Sequence, residues 1–206
     1  MAFDISAVQE IIRIAKRLDE KNLVNAFEGN ISIKKDGWLY ITPSGQNKAW
    51  LTEDMISVFD ENGNQVSGML ASSELKMHRA VYDMREGIGG VVHAHTPFLS
   101  AYAMCNKEFS SKAHAEMLWD HKAIEVAPYG RPGSDEIYAG VGAILAKNKN
   151  VCLLANHGVL AVGSTAMAAM NQLESVENAC RICTIAKLVG KEADLPEEEV
   201  NYLLSL

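Results

Sequence analysis

Gly90-Val91-Val92-His93-Ala94-His95-Thr96-Pro97 is the stretch on which the fold turns. A short apolar run opened by glycine and closed by Thr-Pro reads as a buried strand ending where the proline stops it. Side chains at i and i+2 of a strand leave the same face, so His93 and His95 project together from its C-terminal end. A second apolar pair of runs, 151–155 and 159–162, flanks Asn156-His157-Gly158 and sets a third histidine in a tight turn between strands.

Working outward, residues 6–21 have helical periodicity, with Val8, Ile11, Ile12, Ala15 and Leu18 on one face and capping-box spacing between Ser6 and Gln9. Runs 29–33 and 38–41 form a hairpin around Lys35-Asp36-Gly37, and 55–59 with 65–67 form another. Helices are expected over 72–84, 98–104, 134–147 and 165–188, a short strand at 124–127, and a last helix opened by Pro196. Strands and helices alternate irregularly among hairpins, which favours a layered α/β or α+β domain with a mixed or largely antiparallel sheet. No repeat, low-complexity tract or linker breaks the chain, so residues 1–206 are expected to form one domain.

Composition excludes several classes. Hydrophobic residues make up 48% and charged residues 22% of the 206, a globular balance, and the formal net charge of −7 opposes sequence-independent binding to nucleic acid. No apolar stretch approaches the roughly 18 residues that would span a membrane, and the N-terminus lacks the pattern of a secretory signal. Four sparse cysteines make no disulfide framework, so a reduced, cytoplasmic setting is expected. Cys180-x-x-Cys183 lies within a helical pattern, and Gly140-Val141-Gly142 lacks the remaining parts of a dinucleotide fingerprint.

Three neutral imidazoles with one open position are a catalytic zinc arrangement, which makes His93, His95 and His157 candidate ligands. The plain alternative is two polar strand residues and an unrelated turn histidine. Gly29-Asn30, Ser44-Gly45 and Ser72-Ser73 share another signature: small residues at element ends, whose backbone donors could cradle a phosphate without lysine. Singly, each is equally a turn or a helix cap. Glu74 falls in an expected first helical turn, where glutamate compensates the dipole unless that end faces the histidines.

The order of Gly29-Asn30-Ile31-Ser32, Thr42-Pro43-Ser44-Gly45, Ser72-Ser73-Glu74, His93-Ala94-His95 and Asn156-His157-Gly158 resembles the class II aldolase/adducin family, over roughly residues 6–190. The resemblance implies a three-layer α/β/α fold around a central, mostly antiparallel sheet, assembled as a homotetramer with active sites at subunit interfaces. It implies zinc on His93, His95 and His157, and Glu74 as the acid/base, able to approach the metal when substrate is absent. Gly29, Asn30, Ser44, Gly45, Ser72 and Ser73 match the phosphate loops. The implied reaction is cleavage of a sugar phosphate, L-fuculose 1-phosphate or a related ketose 1-phosphate, to dihydroxyacetone phosphate and L-lactaldehyde or a related aldehyde. One departure is clear: where the bacterial aldolases place a tyrosine from a neighbouring subunit, residues 112–117 carry none, only His114 and Glu116 as substitutes. Alternatives on the same scaffold are a pentulose-phosphate 4-epimerase, which would carry aspartate at Glu74, and a methylthioribulose-phosphate dehydratase. A non-catalytic adducin-like interaction module would lack the three histidines.

Overall fold

The computed structural model describes residues 3–206; the first two residues of the expected 1–206 unit lie outside the described residues. Eight strands build one sheet: β1 (Asn30–Lys35), β2 (Trp38–Ile41), β3 (Ser57–Phe59), β4 (Gln65–Ser67), β5 (Gly90–Ala94), β6 (Val126–Ala127), β7 (Val151–Leu154) and β8 (Gly158–Gly163). Their spatial order is β4-β3-β2-β1-β5-β8-β7-β6. Every neighbouring pair is antiparallel except β6 with β7. The mostly antiparallel sheet implied by the resemblance is therefore the one observed.

Strand parity sorts the apolar residues into two cores. Val92 and Ala94 of β5 and Val159 and Ala161 of β8 face a layer made by α1 (Ile5–Glu20), α3 (Pro97–Met104) and α6 (Ala166–Val189). Val91, Leu160 and Val162 face the opposite layer, built from α2 (Leu75–Met84) and α5 (Val141–Leu145). The chain is thus three layers deep, with period-two strands between helices that each bury one stripe. Two short helices, α4 (Ala115–Asp120) and α7 (Glu197–Ser205), pack together through Leu118, Val200 and Leu203. Among the described residues no helix is long and apolar enough to cross a membrane.

Several local expectations shift. The cap of α1 is Asp4, whose carboxylate accepts the Ser6 N–H at 2.8 Å, so the helix starts before the Ser6–Gln9 pair. The expected helix over 134–147 is a 3-10 turn, Asp135–Tyr138, followed by the five-residue α5. Gly140 and Gly142, both poor helix formers, fall in the middle of that window and weaken a continuous helix. The α4 helix, capped by His114 Nδ1 accepting the Met117 N–H, has no counterpart in the sequence reading. The helix expected from residue 72 starts at Leu75, which leaves Ser72, Ser73 and Glu74 on its threshold.

The turn from β5 into α3 is secured from another element. Glu177, buried on α6, accepts the Thr96 hydroxyl at 2.7 Å and the Phe98 and Leu99 N–H groups at 2.8 and 2.9 Å. A carboxylate there satisfies orphan donors of the α3 N-terminus and complements its dipole. Glu177→Ala should lower unfolding free energy by about 2–4 kcal/mol, because buried donors lose a charged acceptor. A shifted urea midpoint at unchanged slope would register this, and an unshifted midpoint would refute it.

Candidate active site

His93 is the penultimate residue of β5 and His95 follows the strand's end, so period two keeps both rings on the α2 side of the sheet. His157 arrives from the β7–β8 turn. That turn needs Asn156 in the left-handed region (φ 56°), a conformation asparagine tolerates better than most residues. It also needs glycine next: a Cβ on Gly158 would stand 2.7 Å from His95 Cδ2 and 3.2 Å from His93 Cε1. Antiparallel pairing of β5 with β8 then brings three histidines, distant in sequence, to one point.

Their Nε2 atoms converge. His93 Nε2 lies 3.1 Å from His95 Nε2 and 3.0 Å from His157 Nε2, and candidate ligand atoms of the three all fall within 4.8 Å. His93 Nδ1 is 2.9 Å from the Val159 carbonyl, which can only accept, so the proton of the neutral ring sits on Nδ1 and Nε2 presents a lone pair. Burial pushes the His93 pKa down to about 3, and burial together with His157 lowers that of His95. Ring nitrogens brought this close, with the His93 Nε2 lone pair among them, suit a cation held between them. A tetrahedral ion with nitrogens at 2.0–2.1 Å spaces them by about 3.3 Å, close to what is seen. The residues present fit a divalent metal.

Glu74, the N-cap residue of α2, completes the cluster. Its Oε1 is 3.1 Å from His157 Nε2 and its Oε2 is 3.3 Å from His93 Nε2. Burial alone would raise the Glu74 pKa, but the neighbouring His93 and His157 and the Asn30 amide outweigh it and hold the carboxyl below the usual range. Asn30 Nδ2 donates to Oε2 at 2.7 Å. The Asn30 side chain is thus committed to Glu74.

The three glycine- and serine-bearing segments meet as well. Ser44 N–H donates to the Leu70 carbonyl, Ser72 N–H to Thr42, and Thr42 N–H to Ile31, which stitches 29–31, 42–45 and 70–73 side by side. Buried Thr42 also accepts the Ile31 N–H on its hydroxyl at 3.2 Å. Gly29 and Gly45 have positive φ (77° and 66°), and Ser73 and Gly45 are exposed. Ser72 is buried, its hydroxyl accepting the Glu74 N–H at 3.3 Å. His114 is used as the α4 cap, 3.3 Å from Glu116.

Sequence reading missed three contributors. Glu28 Oε1 lies 3.4 Å from His95 Nδ1, the atom opposite the convergence point. Asn25 Oδ1 holds that loop by accepting the Phe27 and Glu28 N–H groups, both at 3.1 Å. His78, fully buried on α2, is 2.5 Å from Asn30 Oδ1. The i, i+4 spacing of Glu74 and His78 was the available signal.

Comparison with known proteins agrees with this arrangement. The chain is 31% identical over 176 residues to an L-fuculose phosphate aldolase of Methanococcus vannielii, covering 85% of this chain and 94% of the relative. It is 30% identical over 161 residues to a 5-methylthioribulose-1-phosphate/5-deoxyribulose-1-phosphate aldolase of Escherichia coli, covering 78% of this chain and 75% of that one. A solved L-fuculose 1-phosphate aldolase superposes with a TM-score of 0.85 at 33% identity, over 100% of this chain and 97% of that chain. The family model described as Class II Aldolase and Adducin N-terminal domain matches residues 9–184, and this chain belongs to that family.

Proposed function

We propose that this class II aldolase, a carbon–carbon lyase, cleaves L-fuculose 1-phosphate or a close ketose 1-phosphate to dihydroxyacetone phosphate and L-lactaldehyde or a related aldehyde. In this reading residues 1–206 act as one domain in the cytoplasm, and the resident metal is zinc, suited to an all-imidazole set. The observation that carries the reading is the convergence of His93, His95 and His157 on one point with Glu74 against it. His93, His95 and His157 would hold the ion. When bound, it supplies Lewis-acid stabilisation of the negative charge that develops as the C3–C4 bond breaks.

The protein's own groups do the rest. Glycine and serine donors of Gly29, Ser44, Gly45, Ser72 and Ser73, with Asn30 at their edge, anchor the phosphate at the threshold of α2, where the helix dipole favours an anion. Glu74 moves the proton at C3: ionised, it removes that proton in condensation and returns it in cleavage. Trp50, Leu70, Leu188 and Val189, each more than three-quarters exposed, support assembly with further copies, which we take to be a homotetramer with interfacial sites.

A second reading keeps dihydroxyacetone phosphate and changes the aldehyde. The relative named for 5-methylthioribulose and 5-deoxyribulose 1-phosphates matches at nearly the identity of those named for L-fuculose phosphate. The epimerase alternative is disfavoured by glutamate at position 74.

A panel of ketose 1-phosphates and pentulose 5-phosphates, with a coupled assay for dihydroxyacetone phosphate, should give highest turnover on L-fuculose 1-phosphate. Epimerised pentulose 5-phosphate as the only product would remove the aldolase reading. Elemental analysis should find one zinc per chain, and chelation should abolish cleavage until zinc is restored. Glu74→Gln should retain metal yet lose about 10²–10⁴-fold in turnover; near-normal turnover would take Glu74 out of the chemistry. Gly158→Ala forces a methyl against His95, so zinc affinity in a chelator competition should fall by about tenfold or more.

A further inference from the structure

Behind Glu74 runs a buried line of side chains, of which Tyr82, Ser32 and His78 have no part in the reaction above. Tyr82 Oη lies 2.8 Å from Ser32 Oγ, which lies 2.6 Å from His78 Nδ1. His78 Nε2 is 2.5 Å from Asn30 Oδ1, and Asn30 Nδ2 is 2.7 Å from Glu74 Oε2. All five residues are buried. They form a ladder between two elements. Asn30 and Ser32 are i and i+2 on one face of β1, while Glu74, His78 and Tyr82 succeed one another at i+4 along the start and first turns of α2.

Chemistry fixes the direction of every link. A carboxylate only accepts, so Asn30 turns its NH2 to Glu74 and its Oδ1 to His78. That oxygen also only accepts, so His78 carries its proton on Nε2. Burial pushes the His78 pKa down to about 4, which leaves the ring neutral and Nδ1 a lone pair. Ser32 must then donate its single hydroxyl proton to Nδ1, and can accept only from the Tyr82 hydroxyl. Four groups thus point their donors one way, toward the carboxylate.

We propose that Tyr82, Ser32 and His78 are positioning residues, a one-way donor chain that locks the Asn30 amide so that its NH2, never its oxygen, faces Glu74. An isolated carboxamide has two ends of nearly equal shape and would turn over. The wrong end would set oxygen against oxygen and swing the carboxylate away from the histidines. The chain removes that alternative, because reversing one link leaves a buried donor or acceptor without a partner. This inference rests on Glu74 being the proton carrier.

Two measurements test it separately from that reading. Long-range ¹H–¹⁵N spectra of histidine-labelled wild-type enzyme, assigned by loss of the His78 signals in a substitution, read the tautomer directly. The neutral Nε2–H form is expected, and an Nδ1–H or charged ring overturns the proposal. With zinc-loaded enzyme, exchange of the C3 proton of dihydroxyacetone phosphate with deuterated solvent reads proton transfer alone. His78→Leu should lower kcat for exchange by about 30–100-fold, with KM and zinc affinity within about threefold of wild type. His78→Gln, whose amide nitrogen can donate to Asn30, should recover most of that loss. Equal loss in both variants, or a loss seated in KM or zinc affinity, overturns the proposal. Should His78→Leu fail to fold, the near-isosteric Tyr82→Phe should lower kcat by about 3–10-fold at constant KM, and an unchanged kcat refutes the chain. Absence of exchange in wild type would instead sink Glu74 as proton carrier, while the tautomer measurement still decides the chain.

Discussion

Three imidazole rings held with their Nε2 atoms face to face are the constraint around which the rest of the protein is arranged. The nitrogens, 3.0 and 3.1 Å apart, stay together because each ring is fixed from outside the cluster. The Val159 carbonyl fixes His93, Glu28 stands behind His95, and the β7–β8 turn carries His157. Such outer contacts set which nitrogen faces the metal position, and they matter nearly as much as the ligands.

The sheet does the long-range work. Because β5 pairs with β1 on one side and β8 on the other, His93 stands between Asn30 and Leu160, and β5 is flanked by the strand that carries Asn30 and the strand that follows His157. Helix α2 lies over that region with Glu74 at its threshold and His78 one turn further. The segments 29–31, 42–45 and 70–73 reach the same end through backbone hydrogen bonds centred on Thr42. The glycine- and serine-bearing loops, Glu74 and the three histidines are thereby gathered beside β5, inside the sheet rather than at its edge.

Much of this was legible in the order of residues. His93 and His95 share a face by strand parity alone, and glycine after His157 announced a tight turn. Their meeting with His157 was legible only through the family resemblance, since it depends on β8 lying next to β5, which no local period specifies. Ser32 lies on β1 and His78 and Tyr82 on α2, with no local pattern shared between the two elements; only their packing face to face reveals the chain of hydrogen bonds. Glu177 carries no local signal of its role, which only the placement of α3 against α6 supplies. The window 134–147 misled because its helical composition outweighed two central glycines in a local reading. Local periodicity identified elements and faces, whereas contacts across more than 40 residues of chain came from tertiary packing.

The opposition of Asn30 and His93 on neighbouring strands has a consequence for quality control during synthesis. Strand side chains repeat every two residues, so a one-step slip of β1 would send both Asn30 and Ser32 to the wrong face in a single move. Apolar Ile31 and Ile33 would simultaneously be turned out of their core. Misthreaded molecules therefore forfeit burial and chemistry at once, and a population of half-competent conformers has no structural basis.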